Sequence, residues 1–226
     1  MVEFEIDKLS VFGNPNIGVY LFTNNQYAIV PKNLDEDTIK VIERTLRVEI
    51  VESSIMGSPL VGLFLAGNDH AILVPYLIKD YELKDLRSQL DLKVYVLQTK
   101  LTALGNVILT NNSYAYVHPE LRDVKDKLRE FLSVEVEEKE IAAIPTVGSS
   151  AVVNNKGGVL HPDVTEREAL ELKEKFKLSA IGTATVNEGV PYVKTGLVAN
   201  DKGALVGEQT TPIEMAYIER TLSGRE

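Results

Sequence analysis

The chain has three histidines, 33 acidic residues and no cysteine, and these counts limit the chemistry open to it. A thiolate nucleophile, a disulfide and a thiolate metal site are excluded together, because each needs the missing sulfur. His118 and His161 precede Pro119 and Pro162, at places where Val30 and Val74 precede Pro31 and Pro75. A repeat accounts for that equivalence. A two-histidine metal site would require the two places to converge, and no third ligand is spaced to join them. The third histidine, His70, has no such counterpart.

Among the carboxylates, Glu135, Glu137, Glu138 and Glu140 run along a strand-like segment and read as rim charge. Glu166, Glu168, Glu171 and Glu174 interleave with Lys173 and Lys175, the pattern of a solvated helix face and not of an acid/base pair. Gly57-Ser58 and Gly148-Ser149 lack the second glycine and the Lys-Ser/Thr that complete a phosphate loop, and Asn155-Lys156-Gly157-Gly158 reads as a hairpin turn. The expectation is therefore a protein with no catalytic residue, no metal and no cofactor. What remains is a recurring set of small and amide residues: Asn16-Ile17-Gly18, the run from Gly57 to Gly62, Thr102-Ala103-Leu104-Gly105-Asn106, and the run from Pro145 to Ser150. Crowding of strands around an axis explains the glycines. It does not explain Ser58, Asn106, Ser149 and Ser150, which read as a flat, hydrogen-bonding binding face.

These residues are placed by a repeat. Turn signals fall at Asn24-Asn25, Asn68-Asp69, Asn111-Asn112, Asn154-Asn155 and Asn200-Asp201, with spacings of 44, 43, 43 and 46 residues, each between two apolar runs. A glycine stands six residues before four of them, at Gly18, Gly62, Gly105 and Gly148, whereas the fifth copy has Lys194 there. Pro31, Pro75, Pro119 and Pro162 follow the second strand of the first four copies, where a missing N–H would end ladder pairing. The fifth copy has Gly207 and then Pro212 at the first turn of its helix.

Helical stripes come next: Ile39, Ile42 and Leu46; Leu83, Leu86 and Leu90; Ala169, Leu172 and Phe176; Met215, Ile218 and Leu222. The third copy, through Leu121, Val124 and Leu128, is out of step, which predicts a shortened or shifted helix. Thr165 with Glu168, and Thr211 with Glu214, are capping-box pairs that start helices. Another strand follows each of the first four helices, at Val48, Val94, Val134 and Leu178, so the unit is strand, turn, strand, helix, strand. The fifth helix leaves no residues for its last strand. Val2-Glu3-Phe4-Glu5-Ile6 resembles Val134-Glu135-Val136-Glu137 and is expected to supply it, closing an α/β ring and removing exposed sheet edges. One domain of five repeats follows, over about 14–57, 58–102, 103–146, 147–189, and 190–226 joined by 1–13.

With a net charge of −9, the chain does not read as a protein held to its partner mainly through phosphates. No apolar run approaches the roughly 18 residues of a membrane span. The acidic N-terminal segment is neither a signal nor a transit peptide, so a cytoplasmic protein is expected.

The segments Ala103-Leu104-Gly105-Asn106, Pro145-Thr146-Val147-Gly148-Ser149, Asn155-Lys156-Gly157-Gly158 with Leu160-His161-Pro162, and Val198 to Ala204 with Thr210-Thr211 closely resemble the translation initiation factor 6 family of archaea and eukaryotes. The likeness runs in order over nearly the whole chain. It implies a pentein fold, also called a β/α propeller, a closed five-fold pseudosymmetric ring of strand-strand-helix-strand units. It further implies binding to the large (50S) ribosomal subunit on its intersubunit face, near ribosomal protein uL14 and neighbouring rRNA, and steric exclusion of the small subunit. A part in large-subunit biogenesis is a further implication. Release in that family is associated with the Shwachman-Bodian-Diamond syndrome protein and an elongation-factor-like GTPase.

Carried over by motif, the ribosome-facing positions are Gly18, Ser58, Asn106, Gly148 and Ser149. Lys194-Thr195-Gly196 and Glu208-Gln209 depart from the family pattern and leave the contacts of the fifth unit open. Lack of a tail after the fifth helix points to an archaeal source. No membrane, no DNA and a monomeric state are expected. The alternative is the guanidino-group hydrolase or amidinotransferase that shares the pentein fold, but those enzymes use a cysteine nucleophile. An acidic sliding clamp would need basic residues facing its axis.

Overall fold

A computed structural model describes residues 4–225. Its strands form five three-stranded sheets of one design. In each, a short first strand pairs antiparallel with a middle strand, and the middle strand pairs parallel with a last strand. The middle strands are Tyr27–Pro31, Ala71–Pro75, Tyr114–Val117, Gly157–Leu160 and Gly203–Gly207. They are almost wholly buried, which is why they read as continuous apolar runs and not as alternating ones.

The fifth sheet takes its last strand from the start of the chain. Glu5–Leu9 lies parallel to Gly203–Gly207, with Glu5 opposite Gly203 and Leu9 opposite Gly207. The expected strand began at Val2; Val2 and Glu3 lie outside the described residues, and the pairing runs three residues further than Ile6.

A helix follows each middle strand: α1 (Glu36–Leu46), α2 (Asp80–Gln89), α3 (Lys125–Leu132), α4 (Glu166–Lys175) and α5 (Pro212–Leu222), the first four leading on to the last strands of their sheets. α5 leads to the chain's end, and Glu5–Leu9 takes the place of its following strand. The third helix is shortened as its stripe predicted: a 3-10 stretch, Pro119–Val124, takes up its first turns and buries Leu121. Two of the prolines need correction. Pro31 and Pro75 are the last residues of their strands, in register with Ser53 and Leu97, because the absent N–H falls where the ladder stops. Among the described residues, no helix is long and apolar enough to cross a membrane.

The apolar side chains gather into five clusters, each shared by two successive units. Ile29 and Val51 meet Ile72 and Leu86; Leu73 and Leu97 meet Val117 and Leu128; Leu109 and Tyr116 meet Leu160 and Phe176; Val152 and Val159 meet Val206 and Ile218; Leu205 and Val198 meet Ile42 and Leu46. The last cluster joins the fifth unit to the first. A single unit has no core of its own, so its burial depends on both neighbours.

Candidate functional site

One end of the first strands carries the five asparagine turns. The side-chain amide of Asn24 donates to the Asn68 carbonyl at 3.1 Å, Asn68 to Asn111 at 3.1 Å, Asn111 to Asn154 at 3.1 Å, Asn154 to Asn200 at 2.9 Å, and Asn200 back to Asn24 at 3.1 Å. A second cycle lies beside it. The backbone N–H groups of Asn25, Asp69, Asn112, Asn155 and Asp201 each donate to the side-chain oxygen of the next member, and Asp201 donates to Asn25. Both cycles return to their starting residue.

The buried asparagines are also satisfied within their own surroundings. Each Oδ1 accepts from the N–H groups two and three residues on, as Asn111 does from Ser113 and Tyr114. The second amide hydrogen of four of them caps a helix: Asn68 reaches Leu132 O, Asn111 Phe176 O, Asn154 Leu222 O and Asn200 Leu46 O. In the second cycle the two carboxylates, Asp69 and Asp201, are never adjacent. Asn25 stands between them and donates to both at 2.7 Å, so no acid meets an acid. By sequence these residues mark turns only. Recurrence of Asn at the same place in all five copies, while flanking residues vary, was the available signal.

The other end of the first strands carries the candidate binding residues. Gly18, Asn106, Gly148 and Ser149 sit on one-turn helices and Ser58 in the turn before one; the five helices are Ile17–Val19, Val61–Phe64, Leu104–Val107, Val147–Ser150 and Val193–Gly196. These pack side by side in a cycle, each against the next. A Cβ on Gly62 would overlap the Gly18 carbonyl oxygen, one on Gly105 that of Gly62, one on Gly148 that of Gly105, and one on Gly18 that of Lys194. Close backbone approach accounts for these glycines.

Tight turns precede four of the five helices, bridging Val11 to Asn14, Ile55 to Ser58, Ile141 to Ile144 and Val186 to Val190. Their tips hold positive φ even at side-chain-bearing residues, including Phe12 (54°), Met56 (57°), Ala142 (53°) and Ala143 (60°). Three are clamped by a glutamate at the third position of the next long helix along the chain. Glu82 accepts from Met56 N at 2.8 Å, Gly57 N at 2.7 Å and Ser54 Oγ at 2.9 Å; Glu168 accepts from Ala142 N at 3.2 Å; Glu214 accepts from Gly189 N at 3.0 Å and Thr185 Oγ1 at 2.6 Å.

Glu168 and Glu214 therefore serve as capping-box partners and as turn clamps, and Glu168 is not simply part of a solvated face. Burial works to raise the carboxyls of Glu82, Glu168 and Glu214. Hydrogen bonds, from Gly57 N and Lys79 N to Glu82, from Thr165 to Glu168, and from Thr185 and Thr211 to Glu214, outweigh it and hold all three below the ordinary range.

Among the sequence-selected residues, Gly18 and Gly148 are buried between neighbouring helices. Ser58 and Ser149 are half-buried; Ser58 Oγ accepts from Leu60 N at 3.2 Å, and Ser149 Oγ donates to Thr146 O at 2.7 Å. Ser150, read as part of the polar face, is instead fully buried, with its hydroxyl turned to Thr146 O. Asn106 is half-buried, and its amide has no hydrogen-bond partner among the described residues. Phe12 and Tyr192, 55% and 42% exposed, flank this end, beside the turn at Val11 and the helix at Val193.

His118 and His161 turn their Nδ1 atoms to the N–H groups of Glu120 and Asp163, so each caps the turn that its proline begins. No group of three or more His, Asp or Glu among the described residues is placed to hold a metal ion. Glu137 meets Lys175 and the Tyr114 hydroxyl, and Glu138 meets Arg122 and Lys125, so these carboxylates are paired.

The class defined by these features is a five-unit α/β scaffold with a polar face of one-turn helices. The family model of the eIF-6 family matches residues 6–221. Translation initiation factor 6 of Staphylothermus marinus is 49% identical over 224 residues, covering 97% of this chain and 98% of that protein. The same factor of Saccharolobus islandicus is 46% identical over 220 residues, covering 96% and 98%. That of Pyrococcus abyssi is 39% identical over 224 residues, covering 96% and 98%. The chain belongs to the eIF-6 family. Among solved structures, a DDAH mutant of Pseudomonas aeruginosa complexed with citrulline is 13% identical with a TM-score of 0.43, covering 92% of this chain and 73% of that one.

Proposed function

We propose that this protein binds the large ribosomal subunit on its intersubunit face and prevents small-subunit joining by occupying the shared surface. Family membership supports the reading, since the relatives are named translation initiation factors. The two hydrogen-bond cycles and the inter-unit cores support a closed, five-fold pseudosymmetric ring of pentein type, acting as one rigid domain. A rigid ring keeps its docking face in one shape, so binding loses little ordering entropy. Docking and subunit joining then compete by mass action, and no bond is made or broken.

The observation that carries the choice of face is Asn106. The five turn asparagines are bonded inside the molecule, whereas the Asn106 amide offers two donors and an acceptor with no partner among the described residues. Ser58, Ser149 and the backbone at Gly18 and Gly148 share that end with it. Ribosomal protein uL14 and adjacent rRNA are the proposed contacts, with release by a protein of the Shwachman-Bodian-Diamond syndrome type. The factor acts as a monomer in the cytoplasm.

Sucrose-gradient co-sedimentation tests the proposal. The protein travels with isolated 50S subunits, leaves free small subunits alone and lowers the yield of joined ribosomes. Absence from the 50S fraction at moderate salt refutes it. Asn106→Asp weakens that binding about tenfold, corresponding to the loss of one polar interface contact of about 1.4 kcal/mol, while leaving thermal stability unchanged. Equal losses of binding and stability would assign Asn106 to the fold instead.

A further inference from the structure

Between the one-turn helices and the asparagine turns lies a cavity of about 80 Å³, lined by Phe22, Ala66, Leu109, Val152 and Val198 among others, with the hydroxyl-bearing Thr23 and Thr110. Lys194 also lines it. Four units carry a glycine at this place, and only the fifth brings in a side chain.

The helix that carries Lys194 packs against the helices Ile17–Val19 and Val147–Ser150 and the first strands Ala151–Val153 and Leu197–Ala199, none of which contains a titratable residue. Among the cavity-lining residues Lys194 is likewise the only titratable one. It makes no hydrogen bond or ion pair among the described residues. Thr23 and Thr110 already donate to the carbonyls of Asn24, Tyr27, Asn111 and Tyr114. At the turn end, Asp69 and Asp201 are bound by the side-chain amides of Asn25, Asn112 and Asn155. Half-buried, Lys194 thus brings an ammonium to the cavity wall with no counter-charge among the described residues. Desolvation disfavours its charged form and lowers its pKa to about 8, so at neutral pH it is still mostly charged. A charge so placed is stabilised by an anion that shares its cavity.

We propose that this cavity is a binding site for one small monovalent anion, a halide or a carboxylate of formate size, held by Lys194 Nζ. A single cationic donor suits a single negative charge. A volume of about 80 Å³ suits an anion of one to a few heavy atoms. The site is independent of ribosome docking and stands whether or not that function holds.

Two probes on the full chain test it. Crystals soaked in sodium bromide show an anomalous peak at Lys194 Nζ. In solution, the Lys194 side-chain NMR signal titrates near pH 8 in an anion with no access to the cavity, and saturating sodium formate raises that midpoint by about one pH unit. That rise is the linkage expected of a tenfold preference for the charged form. Bromide alone at the site identifies a halide site, and a formate response alone identifies a carboxylate site. Lys194→Met removes both signals; Lys194→Gln serves equally should the first variant not fold. Neither probe binding in the wild type, or bromide persisting in either variant, overturns the proposal.

Discussion

Replacing Asn111 by alanine removes four hydrogen bonds at a position that is 4% exposed. The amide donates to Asn154 O at 3.1 Å and Phe176 O at 2.9 Å, and Oδ1 accepts from Ser113 N at 2.9 Å and Tyr114 N at 3.1 Å. At a net of about 1 kcal/mol each the sum is about 4 kcal/mol. The Phe176 carbonyl would lose its side-chain cap. For a chain of this length a loss of that size lowers the melting temperature by roughly 10 °C. Urea unfolding of wild type and Asn111→Ala at one pH and one salt concentration measures it. A loss below about 1 kcal/mol would refute the reasoning. It would mean that the cycle of turn bonds is incidental and that the five apolar clusters alone set stability.

Gly148→Ala is expected to cost roughly 3 kcal/mol, because its Cβ would overlap Gly105 O and stand 2.7 Å from Ile108 O, both backbone atoms that cannot turn aside; thermal melts decide this, and an unchanged melt would show that the helix cycle can spread. Acid stability follows from Glu82, Glu168 and Glu214. Their folded-state pKa values lie below the ordinary 4.5, so their contribution is present above that pH and is lost as pH falls through the lowered folded values. Denaturation at stepped pH should show this loss, and Glu82→Gln should reduce its steepness.

The repeat was readable because turns, stripes and strand endings recur at nearly constant spacing, and the third unit's shift was visible as a break in phase at Leu121, Val124 and Leu128. The proposed binding face was legible only as segments. Small and amide residues marked stretches that gather at one end of the first strands, yet Ser58, Asn106, Ser149 and Ser150 could not be told apart, since burial and partners depend on the neighbouring helix. The glutamate clamps were missed for a similar reason: Glu82, Glu168 and Glu214 each lie 14 residues after their turn asparagine, but the turn that each one holds lies about 25 residues back along the chain.

What the sequence determined by itself was local and periodic: five copies of one unit, the helix caps, and a chemistry without thiols. A hydrophobic period and a turn residue act over a few positions, so one chain suffices to read them. Tertiary structure alone decided where polar groups find partners. Asn111 and Asn106 lie five residues apart and are the same residue type, yet one is locked into a cycle that spans the molecule and the other is left open. Lys194 similarly comes to line a cavity whose other walls belong mostly to other units. Hydrogen bonding and desolvation are set by what packs nearby in space, and spacing along the chain carries no record of that.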